Sequence, residues 1–151
     1  MVESPRILVI DDDKTIRQTI AMILQAEGFT VDTAETGREA LEKSNKNTYN
    51  LALVDIRLPD IMGTDLLAKF RETVPPMIKI IVTGFPALQN AIEAVNKGAN
   101  AYILKPADPE KLLSTIRMWL KKQEDNRALN QLKVTDARAR VTVAWSFKED
   151  Q

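Results

Sequence analysis

The chain has 151 residues, 44% of them hydrophobic, and its 21 basic and 21 acidic residues cancel, so it is sized for one domain with a small appendage and offers no basic face for nucleic acid. It contains no cysteine and no histidine, which excludes disulfides, thiol chemistry, imidazole acid–base catalysis, His-ligated metals and a phosphohistidine carrier role. No apolar run is long enough to span a bilayer, and Met1-Val2-Glu3-Ser4-Pro5 lacks the regions of a signal peptide; together with the missing cysteines this predicts a cytoplasmic protein with no membrane partner.

Arg6–Ile10 is a short β-branched apolar run, which predicts a strand. From Asp13 the period becomes helical, with Ile16, Ile20, Ile23 and Leu24 spaced along one side, Asp12 or Asp13 as the cap and Gly28 as the stop. Phe29–Ala34 reads as a half-buried second strand. Thr36-Gly37-Arg38-Glu39 has the form of a capping box and opens a helix with Ala40, Leu41 and Ser44 inward. Leu51–Val54 is a third strand, and Leu66, Leu67 and Phe70 mark a helix that ends before Pro75-Pro76. Ile78–Val82 is a fourth strand. Pro86 then suits a first helical turn, Leu88, Ala91, Ile92 and Val95 make its apolar face, and Gly98 closes it. Ala101–Leu104 is a fifth strand. Asp108-Pro109-Glu110 caps a last helix whose Leu112, Leu113, Ile116, Trp119 and Leu120 face inward. Five β-α alternations predict an α/β fold, a parallel sheet with helices on both faces.

The chemistry sits where the strands end. The first strand runs into Asp11-Asp12-Asp13, the third into Asp55, the fourth into Thr83-Gly84 and the fifth into Lys105-Pro106. The carboxyl ends of strands in an open parallel sheet form the ligand crevice. A carboxylate leaving a buried strand is costly unless it has a partner. Taken alone, the acid run could be a helix cap with solvated charge, Lys105 a surface lysine, and Thr83 a plain strand end. Taken together, adjacent carboxylates at neighbouring exits suit a hard divalent cation, and oxygen-only ligands favour Mg²⁺ or Mn²⁺ over Zn²⁺. Lys105 can then pair with a carboxylate or an incoming phosphoryl oxygen, and the Thr83 hydroxyl can donate to that same oxygen.

These stretches resemble the response-regulator receiver family. Ile7-Leu8-Val9-Ile10-Asp11-Asp12-Asp13, Leu53-Val54-Asp55-Ile56-Arg57-Leu58-Pro59-Asp60-Ile61-Met62-Gly63, Ile81-Val82-Thr83-Gly84 and Gly98-Ala99-Asn100-Ala101-Tyr102-Ile103-Leu104-Lys105-Pro106 agree with it in order and spacing. The resemblance covers about residues 5–122 and implies a five-stranded, doubly wound sheet in the flavodoxin-like order 2-1-3-4-5. It implies that Asp55 accepts a phosphoryl group from the phosphohistidine of a sensor histidine kinase or phosphotransfer protein. It implies Mg²⁺ held by Asp12, Asp55 and the backbone carbonyl of Arg57, with Asp11 acting through a metal-bound water. Lys105 and Thr83 would contact the phosphoryl oxygens, and Tyr102 would be the switch aromatic that follows Thr83. A cis peptide is implied at Lys105–Pro106. Arg57 and Phe85 occupy positions the family uses to tune the lifetime of the phosphorylated state, and the small Gly84 leaves the phosphoryl group accessible.

Two other classes compete. A haloacid-dehalogenase-like phosphatase also uses an Asp nucleophile, Mg²⁺ and lysine, but it has a second Asp two residues after the first, where this chain has Arg57. A receiver-like binding module that is never phosphorylated is opposed by the intact set of Asp11, Asp12, Asp55, Thr83 and Lys105. The chain is therefore expected to be a phosphoacceptor signalling domain and not an enzyme with turnover. Residues 123–151 are expected to be a C-terminal extension, and Lys121–Arg127 reads as the solvated end of a long last helix or a linker, the absence of Gly and Pro favouring the helix. Within it, Arg138–Phe147 alternates Val141, Val143, Trp145 and Phe147 with smaller and polar residues, a period-2 pattern that predicts a strand able to pair with a second copy as a homodimer. The extension is too short for a complete output domain, which predicts a stand-alone receiver or part of a longer regulator.

Overall fold

A computed structural model describes residues 4–84 and 88–149. The strands are β1 (Arg6–Ile10), β2 (Thr30–Ala34), β3 (Leu51–Val54), β4 (Ile78–Thr83) and β5 (Ala101–Leu104). They alternate with α1 (Lys14–Ala26), α2 (Gly37–Lys46), α3 (Gly63–Lys69), α4 (Leu88–Asn96) and α5 (Pro109–Glu149). All four strand pairings are parallel, in the order β2-β1-β3-β4-β5. The central strands β1, β3 and β4 are near-continuously apolar and buried on both faces, as in a parallel sheet covered by helices, while the edge strands β2 and β5 are only partly buried. On one face Leu8, Ile10, Ala52, Val54 and Ile81 pack with Ala40 of α2, Leu66 and Leu67 of α3 and Ala94 of α4. On the other, Ile7, Val9, Leu53, Ile80 and Ile103 pack with Ile20 and Leu24 of α1 and Leu112 and Ile116 of α5.

Local chemistry sets the helix ends. Asp13 is the N-cap of α1, its carboxylate accepting from Ile16 N. Gly28 follows α1 at φ +93°, and Gly98 follows α4 at φ +106°, a left-handed turn that a Cβ disfavours. Thr36 caps α2 through Glu39 N, while the Glu39 carboxylate reaches back to Glu35 N, one residue beyond a regular capping box. The Lys105–Pro106 peptide is cis, as the resemblance implies.

Two expectations fail. In α4, Ala94 is the fully buried residue, and Ile92 and Val95 are 53% and 63% exposed. Its apolar stripe is wider than the strip of sheet beneath it, and the smallest residue takes the close approach. Pro86 and Phe85 lie outside the described residues. In the extension, the backbone over 138–147 is helical and belongs to α5, so the expected strand is not formed. The reason is hydrogen bonding: from Glu110 to Glu149 no Gly or Pro interrupts the chain, and a helix satisfies its own backbone where a single strand leaves it unpaired. The side chains of Val141, Val143, Trp145 and Phe147 are outside the description, and the homodimer built on a paired strand loses its basis.

Gln123, where the extension begins, is buried. Its amide donates to the carbonyls of Asn50 (2.9 Å) and Pro76 (2.8 Å) and accepts from Asn50 Nδ2 (3.2 Å). These bonds fix α5 to the amino ends of β3 and β4 before the helix leaves the sheet.

Candidate functional site

The site forms because register brings the strand exits together. Ile10 pairs with Val54, so Asp11 and Asp55 leave the sheet side by side, and Asp55 N donates to Ile10 O at 3.0 Å. This is the point where the strand order reverses between β1 and β3, which leaves a crevice no crossover helix fills. Thr83 ends β4 opposite Leu104, and Lys105 N donates to Thr83 O at 2.7 Å, so β5 delivers Lys105 beside Thr83.

Lys105 Nζ lies 2.6 Å from Asp11 Oδ2 and 3.3 Å from Asp55 Oδ2. Asp11 and Asp55 are buried, and Asp12 is exposed at the mouth. One carboxylate oxygen from each of Asp11, Asp12 and Asp55 falls within 4.8 Å of the others. This all-oxygen, nitrogen- and sulfur-free donor set fits a hard divalent cation. Burial pushes the Asp55 carboxyl above its ordinary range; Lys105 opposes that shift and the neighbouring Asp11 and Asp12 charges reinforce it. Burial works against the Lys105 ammonium, but its bond to Asp11 and the charge of Asp55 outweigh burial, and its pKa is raised. The lysine thus stays charged and holds two carboxylates that would otherwise repel.

Of the remaining expected residues, Thr83 is fully buried at the end of β4. Tyr102 is half-buried against the core, and burial raises its phenol pKa. Arg57 is exposed in the loop after β3, where it pairs with Met62 in an isolated antiparallel bridge. That loop is held at two further points. The Asp60 carboxylate accepts from Gly37 N and Arg38 N, both at 2.9 Å, at the start of α2. Gly63 lies so close to the chain leaving β3 that a Cβ there would overlap the Asp55 carbonyl oxygen.

One site residue was missed by the sequence reading. Arg17, in the first turns of α1, is buried, and its guanidinium reaches the backbone of Asp11. The signal was present: Arg17 shares a helical face with Ile20, Ala21 and Leu24, all buried. A groove of about 1040 Å³ between Pro75 and Trp119 lies at the amino ends of the strands, away from this site, and no carboxylate lines it.

The family model for the response regulator receiver domain matches residues 7–117. The chain belongs to the response-regulator receiver family. It is 33% identical over 125 residues to the response regulator ArlR of Staphylococcus saprophyticus, covering 83% of this chain and 56% of that protein. It is 34% identical over 125 residues to the alginate biosynthesis transcriptional regulatory protein AlgB of Pseudomonas putida, covering 83% of this chain and 27% of that one. Thus the receiver chain spans about half the length, or less, of these curated relatives. Among solved structures, a CheY-like response regulator receiver domain protein from Methanospirillum hungatei superposes with a TM-score of 0.78 at 44% identity, covering 82% of this chain and 99% of that one. The receiver fold, its strand order and its place in two-component signalling are those implied by the four motifs. Among the described residues no helix is long and apolar enough to cross a membrane.

Proposed function

We propose that this receiver accepts a phosphoryl group on Asp55 from a phosphohistidine of a sensor histidine kinase or phosphotransfer protein, in the cytoplasm, and that this switches a partner-binding surface. The observation that carries the reading is Asp55, buried and paired with Lys105 at 3.3 Å, beside Asp11 and Asp12. An Asp55 carboxylate oxygen forms the new O–P bond as the P–N bond of the donor breaks, and its electron pair returns to the imidazole. Asp12, Asp55 and the Arg57 carbonyl would hold Mg²⁺, or Mn²⁺ in its place, with Asp11 reaching it through water. The metal, when bound, neutralises charge on the phosphoryl oxygens. Lys105 stands as a fixed cation beside Asp55 and can follow a phosphoryl oxygen. Thr83 would donate its hydroxyl to another, and Tyr102 would turn inward behind it. Arg57, exposed in the loop that follows Asp55, would tune the lifetime of the acyl phosphate. Residues 5–122 make up the phosphoacceptor domain in this reading, with the extension from 123 carrying α5 outward.

The test is incubation with an acyl phosphate donor, with and without Mg²⁺. A stable label approaching one phosphoryl group per chain, dependent on Mg²⁺, supports the reading. Continuous turnover of donor without stable label points to a phosphatase, and no label under either condition points to a binding module.

A further inference from the structure

We infer that Arg17 is a positioning residue of the cation site, acting through the Asp11 backbone; the inference rests on the phosphoacceptor reading above. Arg17 Nη1 donates to Asp11 O at 2.8 Å, and Nη2 lies 3.1 Å from Glu35 Oε1. The guanidinium is almost wholly enclosed, while Glu35 is largely in water. A buried guanidinium is costly unless its donors are used, and here it spends one on a main-chain carbonyl in the acid loop.

That carbonyl belongs to the peptide linking Asp11 to Asp12. Fixing it fixes the plane from which the Asp12 side chain departs. The other atoms of Asp11 are held as well. Its N–H donates to Ala34 O at 3.1 Å, its Oδ1 accepts from Asp13 N at 2.9 Å, and its Oδ2 accepts from Lys105. Among the described residues, Arg17 supplies the side-chain contact that reaches the peptide between the two acids. Its second arm ties α1 to the turn after β2, where Glu35 N is itself held by Glu39. Two separate arms require the planar fork of arginine; a lysine ammonium reaches one acceptor or the other.

The experiment is a titration of Mg²⁺ alone into the full chain, followed by the backbone amide shifts of residues 11–13 and 55–57. Wild type is compared with Arg17→Gln and Arg17→Lys, and thermal unfolding is recorded in parallel. Outer-shell partners of metal ligands are typically worth 10-fold or more in affinity, so a Mg²⁺ Kd about 10-fold weaker is expected in folded Arg17→Gln, with Arg17→Lys failing to restore it. A purely structural role would lower the unfolding temperature and leave the Kd of the folded protein unchanged. A Kd within about twofold of wild type in a folded Arg17→Gln protein overturns the inference. If that variant does not fold, Arg17→Lys is read the same way, and wild-type affinity there overturns it. If wild type itself binds no Mg²⁺, the phosphoacceptor reading fails first.

Discussion

Lys105 is a residue whose loss should register in stability. It is the cation within reach of both buried carboxylates, Asp11 and Asp55. Removing one partner of a buried ion pair leaves charge uncompensated, so Lys105→Gln should destabilise the receiver by about 2–4 kcal/mol, and Mg²⁺ should recover part of that loss. Urea unfolding with and without Mg²⁺ measures both effects; equal stability in wild type and variant would sink this account of the cluster. Asp60 carries a different charge effect. The backbone N–H groups of Gly37 and Arg38 hold its carboxyl below the usual range. Its stabilisation is therefore complete above the ordinary carboxyl value of about pH 4 and is lost as pH falls through the lower folded value. Asp60→Asn should cost about 1 kcal/mol at neutral pH, in the range of a lost helix cap, and should flatten the acid limb of the stability curve. Unfolding midpoints from pH 7 down to pH 3 test it, and parallel curves would contradict it. Asp55, Lys105 and the acid run were legible because a polar residue directly after an apolar strand stands out in sequence. The role of Asp60 was not, because it acts on backbone groups more than twenty residues away; Arg17 was legible only as a charge on the buried face of α1, since spacing does not say which carbonyl its guanidinium meets.

At the scale of elements, the close approach between the loop after β3 and its surroundings explains Gly63 and predicts its sensitivity relative to Gly84. A Cβ at Gly63 would overlap the Asp55 carbonyl oxygen, which is main chain and has nowhere to go, whereas a Cβ at Gly84 meets nothing within 4 Å. Gly63→Ala should therefore lower stability by about 2 kcal/mol or more, and Gly84→Ala should change it by less than about 0.5 kcal/mol. A reversed order of the two unfolding midpoints would show that the loop relaxes freely. Four strands were legible as short apolar runs between turn residues, and β2 as a half-polar, half-buried run. The buried face of α4 was not: Leu88, Ala91, Ile92 and Val95 have helical spacing, but so do Ala91 and Ala94. Hydrophobicity ranks isoleucine and valine first; the sheet selects by size, and Ala94 is the residue it buries.

For the whole molecule, α5 is both a layer of the receiver and the element that leaves it. Up to Ile116 it packs on β1, β3 and β4, and Gln123 ties its exit to Asn50 and Pro76. A chain ending at Lys122 lacks those bonds, and one ending at Gln131 retains them. The shorter chain should melt roughly 5 °C lower than the longer, which should match the full chain. Equal midpoints for all three would mean that Gln123 adds nothing to the domain. Reading 138–147 as a strand failed for a reason that belongs to this scale. A period of two is shared by strands and by short stretches of helix whose apolar residues happen to alternate, and only a neighbouring strand would decide between them.

In the proposed reaction Asp55 alone takes the phosphoryl group. Intact-mass measurement of wild type and Asp55→Asn after treatment with an acyl phosphate and Mg²⁺ tests it most directly. Wild type should gain one phosphoryl group, lost when Mg²⁺ is chelated beforehand, and Asp55→Asn should gain none. A full phosphoryl gain in Asp55→Asn, at Asp12 or any other residue, would contradict it.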